Sequence, residues 1–338
     1  MGNILSGNLG FGLTPRRDLE LVLDHRKVPE AKFLNQAETI APSISVSERM
    51  ANMPSFYAGD GDRYITGDRT EEGGYPLLTT KLSEAYYTTK ARGWETKQDI
   101  VEDTENDELL DLQKEHTKQL GDTSKLYKEY RVAKAVELTA SYATANKKNI
   151  TAEANNWFTD DNMRDDIKSQ LDLSTLYTVF GLEIEFLTLI VPVTFLRDII
   201  KISLLVDSVG LTNEAINLSS LEKKAQYLTN FIGCKNVLPV SGKINTANFE
   251  TADGKPSFSR IWSPNIATLA YLSDGGSAWG PGLARQPWSK KHLKGKKDYM
   301  ESYAIPQYDQ TRIRLKNFDG LYIDYAYAIQ YKGINYTD

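Results

Sequence analysis

Apolar residues in the first fifty positions are scattered, and Pro15, Pro29 and Pro42 punctuate them. Proline imposes extended or turn geometry on itself and its predecessor. Residues 1–52 are therefore expected to form an extended N-terminal arm. Such an arm cannot bury enough of its own surface to be ordered alone, so a neighbouring subunit is expected to hold it. From 53 to 103 the pattern changes to short β-forming runs, Arg63-Tyr64-Ile65-Thr66 and Ala85-Tyr86-Tyr87-Thr88-Thr89, around the turn signal Glu71-Glu72-Gly73-Gly74-Tyr75-Pro76. This reads as a long β-hairpin with too little apolar alternation for a core of its own. It too should lie against another chain, and Tyr57, Tyr64, Gly73, Gly74, Tyr75, Tyr86 and Tyr87 are its candidate contact residues.

Helical periodicity starts with the segment 104–160. Thr104 can cap a helix whose first turn carries Asp107, and Leu109, Leu112, His116 and Leu120 fall on one face. Gly121-Asp122 interrupts this pattern, and Leu126, Tyr130, Ala133, Val136, Ala140 and Ala143 then continue it at spacings of three and four. The prediction is one long helix, kinked at the glycine and ending near Asn146-Lys147-Lys148-Asn149. Residues 161–298 alternate between the two periods: a helix from Asp161 through Leu171, a buried strand over 187–191, and a helix over 194–205. Another helix and the strand 236–240 follow, then the strand 266–272 and the loop Asp274-Gly275-Gly276. Residues 299–338 carry strand-like runs at 299–305, 311–315 and 322–329, suited to an antiparallel sheet. The whole reads as an α+β chain with an α/β portion.

Composition narrows the function. The chain has 338 residues, 41% hydrophobic and 25% charged, enough for a substantial core. A net charge of −5 argues against a dedicated nucleic-acid binder, which normally carries a basic excess. With Cys234 as its one cysteine the chain has neither an intrachain disulfide framework nor a zinc cluster. Nineteen tyrosines favour broad contact surfaces. The most apolar stretch, 186–209, is broken by Arg197, Asp198 and Lys201, so it reads as core and not as a membrane span. Met1-Gly2 with Ser6 is a bare match to a myristoylation pattern, too short to carry a reading.

Candidate chemistry is thin. The three histidines, His25, His116 and His292, lie in three separate segments; His116 reads as packed on a helix face and the other two as surface residues. Gly59-Asp60-Gly61-Asp62 with Asp68 offers carboxylates but no complete calcium loop. Glu183 and Glu185, two apart on an expected strand, are the one pair that suits a soluble carbohydrate-active enzyme. No phosphate loop or dinucleotide fingerprint is present. The expectation is no catalytic residue, no cofactor and no metal. One charge feature stands out: Lys290, Lys291, Lys294, Lys296 and Lys297 form a basic run, opposite in sign to Glu102, Asp103, Glu105, Asp107, Glu108 and Asp111. Both can be solvated faces, the two can meet across subunits, or the lysines can face nucleic acid. Glu105, Asp107, Glu108 and the five lysines join the candidate contacts.

The order of parts, arm, hairpin, long helix, α/β portion and returning strands, resembles the major capsid proteins of tailed bacteriophages, with the Hong Kong 97 (HK97-like) fold. Asn156-Trp157 before the Asp-rich start at Asp160, Asp161, Asp165 and Asp166 is similar to the segment after that family's spine helix. Arg260-Ile261-Trp262 before Asn265-Ile266-Ala267-Thr268-Leu269-Ala270-Tyr271-Leu272 resembles its late A-domain strand. The resemblance implies an N-arm (1–52), an E-loop (53–103), a P-domain with the spine helix (104–160), an A-domain (161–298) and strands returning to the P-domain (299–338). It implies a subunit, not an enzyme, that builds hexameric and pentameric capsomers of an icosahedral shell. That shell encloses double-stranded DNA without binding it specifically and has no membrane. Portal and scaffolding proteins are the implied partners, with assembly in the host cytoplasm and residence in the virion. Because the chain begins at Met1 without a long helical prefix, a separate scaffolding protein, or none, is expected. Where relatives crosslink a lysine between subunits, Lys81, Lys90 and Lys97 are the candidates here. An encapsulin-like nanocompartment shell is the alternative within the same fold.

Overall fold

Five short strands form the middle layer of the protein, and the residues of four of them alternate between two apolar environments. The structure, a computed structural model, describes residues 14–15, 35–52, 86–99, 112–150, 157–158, 162–210, 212–245, 258–273, 280–305 and 310–334. The strands run in the order Lys147–Asn149, Ala328–Lys332, Ile266–Ala270, Thr188–Pro192, Asn236–Val240. The outer pairings are parallel and the two onto Ile266–Ala270 antiparallel. Successive strand residues point to opposite faces. Accordingly Leu189, Val191, Val237, Leu269, Ile329 and Tyr331 enter one buried cluster, while Ile190, Leu238, Val240, Ala270 and Ala328 enter another. A sheet covered on both faces needs continuous apolar runs, which is why 187–191 reads as uniformly hydrophobic.

Short helices cover the first face. Met163–Leu173 and Leu221–Ile232 bury Ile167, Leu171, Leu228 and Ile232 there. Trp157 is fully buried among them, and its indole N–H donates to Asp166 at 3.2 Å. Asp166 also receives Lys148 at 2.6 Å, so Trp157 and Asp166, one from each of two segments noted in the sequence, form one buried anchor. The expected helix over 194–205 is three pieces: Val193–Arg197, a 3-10 turn Ile199–Lys201, and Ser203–Val209. Ile199, Ile202 and Leu205 all reach the same core, and Ile202 is extended to let them do so.

The long helix covers the second face. It runs Leu112–Val136 and passes Gly121-Asp122 without a break. It stops at Val136 instead of continuing to 149. Ala140 and Ala143 are exposed, and residues 139–141 and 144–146 are 3-10 turns. Small alanines bury too little surface to enforce a helix, and the threonines and serine between them favour turns. Residues 104–111 lie outside the described residues.

The N-terminal half of the same helix lies on a second, seven-stranded sheet. Its spine is Gln310–Asp319, paired antiparallel with Asp298–Ile305 on one side and along ten residues with Lys90–Asp99 on the other. Leu120 packs on Met300, Ile313 and Leu315 with Trp94. Asp319 ties the pieces, accepting from Arg92 and, at 2.8 Å, from Arg131 of the helix. Beside it, Gly320 abuts the Thr88 backbone so closely that a side chain would collide with the Thr88 carbonyl.

Three expectations are corrected here. Residues 35–52 of the arm are held by their own chain: Ala37–Ile40 is a helical turn with Ala37 and Ile40 in the core, and Ser43–Val46 pairs in parallel with Ala284–Ser289. The hairpin's second limb likewise does not wait for another chain, since Lys90–Asp99 completes the sheet of its own subunit. The run 322–329 is not one strand. Asp324 caps the turn Tyr325–Tyr327, sending Tyr322–Ile323 to one sheet and Ala328–Lys332 to the other. The antiparallel pairing of the other two C-terminal strands is as expected.

Candidate assembly surfaces

Pairing of Met50–Asn52 with Tyr86–Thr88 closes the base of the expected hairpin. In an antiparallel pair, opposed residues share a face. Tyr87 and Ala51 point inward onto Ile44 and Val46, so Tyr87 packs in the core of its own chain. Met50 and Tyr86 point the other way and stand 63% and 68% exposed. Set diagonally across the pair, two exposed apolar groups on one face form an adhesive spot. Tyr57, Tyr64, Gly73, Gly74, Tyr75 and Lys81, and the Asp60–Asp62 turn with Asp68, lie outside the described residues, as do Glu105, Asp107, Glu108 and His25. Lys90 and Lys97 are exposed on the limb.

The lysine run occupies the turn between Ala284–Ser289 and Asp298–Ile305. Lys290, Lys291, Lys294 and Lys296 are exposed. Two of these lysines meet carboxylates of the arm: Lys291 meets Glu48 at 2.9 Å and Lys297 meets Glu38. Both glutamates belong to the arm, so part of the basic run fastens the arm to its own subunit. Lys294 lies over the Tyr299 ring at 5.6 Å. Behind the turn is a cleft of about 510 Å³ lined by Lys125, Lys128, Lys296, Lys297, Glu38 and Asp298, with Lys128 on Asp298 at 3.1 Å.

On the α/β half, Leu173, Tyr177, Val179, Phe186, Leu204 and Leu218 are exposed, Leu218 at 83%. No sequence pattern marked them, because an isolated apolar residue at a helix end looks like a capping or core position. The carboxylate pair fares differently. Glu183 and Glu185 are both exposed at a 3-10 turn, Ile184–Phe186, and not on a strand, so they do not share a face. His116 is half-buried with Nδ1 3.2 Å from the Thr96 hydroxyl, and His292 stacks on Phe318. Among the described residues no three His, Cys, Asp or Glu side chains gather as a metal site, and no helix is long and apolar enough to cross a membrane.

The sequence signals that held are the tryptophans. Trp262, within Arg260-Ile261-Trp262, donates its indole N–H to Glu129 of the long helix at 2.7 Å. Glu129 itself escaped notice, although it falls three after Leu126 and four before Ala133, within the buried stripe.

No protein-family model matches the chain, and no curated protein sequence matches it. Solved structures do resemble it. A phage-related protein from Bordetella bronchiseptica RB50 superposes with a TM-score of 0.68 at 12% identity, over 96% of this chain and 99% of that one. The capsid of the cyanophage P-SCSP1u gives 0.53 at 13% identity, over 98% and 92%. The mature capsid of bacteriophage PhiM1 gives 0.54 at 8% identity, over 98% and 91%. The fold is therefore the α+β, HK97-like capsid fold.

Proposed function

We propose, from that fold, that the chain is the major capsid protein of a tailed phage, self-assembling into the icosahedral shell around its double-stranded DNA. The observation that carries the reading is the likeness to two phage capsids over 98% of the chain. Nearly every element is thus accounted for by a shell subunit, and little is left over to build a catalytic site.

Physical features support it. A shell is held by many modest, symmetric contacts, not by one large interface. The Met50–Tyr86 spot at the hairpin base and the exposed apolar residues of the α/β half suit separate small contacts of that kind. The arm, hairpin, P-domain, A-domain and return segments take the boundaries given above, with the hairpin reaching over a neighbour from its base at Asn52 and Tyr86. The subunit is structural and not an enzyme. It forms hexamers and pentamers in the host cytoplasm, with portal and scaffolding partners, and ends in the virion.

Negative-stain electron microscopy of the chain, expressed alone and with its neighbouring genes, tests this. Closed shells or ring-shaped capsomers are the expected result, with nucleic acid inside. Shells filled with protein cargo would replace the phage reading with a nanocompartment, and a monodisperse monomer under both conditions would overturn both.

A further inference from the structure

Glu129 is fully buried on the long helix, and each of its oxygens is spoken for by a different part of the chain. Oε2 accepts the backbone N–H of Ala37, the first residue of the arm helix, at 2.7 Å. Oε1 accepts the Trp262 indole N–H at 2.7 Å. Two turns further along, Glu137 accepts the Ser263 backbone N–H at 2.5 Å. Glu129 on the helix and Glu137, the residue just past its end, thus hold two segments remote in sequence, the arm at residue 37 and the stretch 261–263.

What is missing is a counter-charge. Among the described residues no cation forms an ion pair with Glu129 or Glu137. Along the helix, Lys128 is bound to Asp298, Arg131 to Asp319, and Lys134 lies over the Tyr130 ring, close enough to favour an ionised Glu137. From the arm, Glu38 is bound to Lys297. From the 258–263 segment, Arg260 is exposed. On the strand Ala284–Ser289, Arg285 is held by the Gly280 and Pro281 carbonyls, and from the turns at 139–142 and 325–327 the Tyr142 and Tyr325 hydroxyls donate to helix carbonyls at 2.8 and 3.0 Å. A carboxylate taken out of water with only neutral donors is costly as an anion and gains a proton readily.

We propose that Glu129 and Glu137 form a proton-binding clasp that fastens the arm and residues 261–263 to the long helix and loosens as the two carboxylates ionise. The direction follows from linkage. Burial, outweighing the hydrogen bonds, pushes both groups up to about 7 from an ordinary 4.5. A clasp that opens returns them to water and to the ordinary range. Closing therefore takes up protons between the two values, so the clasp is fully fastened below the lower and weakens as pH rises through the upper. The inference does not rest on the capsid reading and is measured on the full chain by itself.

Hydrogen–deuterium exchange across pH 5.5 to 8.5, normalised for intrinsic exchange, reads it. Protection of a peptide covering residues 35–46 should fall with rising pH, by up to about tenfold per pH unit for one linked proton. E129Q, whose amide cannot ionise, should show a flat profile there. E137Q should keep the arm's slope and flatten that of residues 258–263. A flat or rising wild-type profile, or an unchanged slope in E129Q, overturns the proposal. Should E129Q fail to fold, the carboxyl carbon resonances of the labelled wild-type chain decide: two midpoints near 7, one of them absent in E137Q, support it, and midpoints all in the ordinary carboxylate range overturn it.

Discussion

Asp319 shows how much one side chain can hold. It is 4% exposed, and two guanidinium groups from different elements, Arg92 and Arg131, depend on it. Removing the shared anion leaves both cations in a largely buried place, a change that typically costs about 3 kcal/mol or more. Asp319→Ala should lower the urea midpoint accordingly; a loss below about 1 kcal/mol would mean water already shields the arginines. Cys234 offers a contrast, a residue that packs in the core with its thiol donating to the Asn236 carbonyl at 3.4 Å. Burial pushes its thiol up to about 11, so it should stay unreactive toward thiol reagents in the native chain and react on unfolding. The residues legible in the sequence were those whose chemistry is unusual wherever they occur, Trp157 and Trp262 above all. Asp319 and Glu129 were not legible, because an acid at the end of a strand or on a helix looks solvated until the third dimension supplies its partner.

At the scale of elements, periodicity was a good guide where burial enforced it. The strands at 188–192, 236–240 and 266–270 and the helices at 163–173 and 221–232 stand close to where their apolar patterns put them. It failed where residues too small to matter energetically mimicked a stripe, at Ala140 and Ala143. It failed again where a core was reached by a broken path, between 193 and 209. The arm was misread for a different reason. Scattered apolar residues look like a tail, yet Ala37, Ile40, Ile44 and Val46 each find a buried place in their own subunit. A sharp expectation follows from where that packing starts. A chain lacking residues 1–34 loses, among the described residues, only the short pairing of Thr14–Pro15 with Glu301–Ser302, and should keep most of its unfolding temperature. One lacking 1–46 should lose several degrees or fail to fold, because the core facing Ile40 and the strand edge at 286–289 are uncovered. Equal melting of the two truncations, measured by circular dichroism, would show that the arm adds nothing to its own subunit.

For the whole molecule, the layered architecture was only partly legible. The sequence pattern pointed to an α+β chain and the order of its parts, and the capsid fold came through the resemblance of that order. It did not reveal that both sheets share one helix, since sheet membership is set by pairing and not by pattern. Leu112–Val136 lies on the seven-stranded sheet through Leu120 and on the five-stranded sheet through Val132, Ala133 and Val136. At about 1.5 Å per residue such a helix is roughly 37 Å long. It therefore acts as a lever: a tilt of about 5° about one end carries the other through about 3 Å, over half a helical turn. In the proposed shell, identical subunits set around rings of different size would meet at different angles. A rigid beam with a platform at each end lets one such tilt be taken up as a rotation of whole platforms, leaving the packing inside each undisturbed.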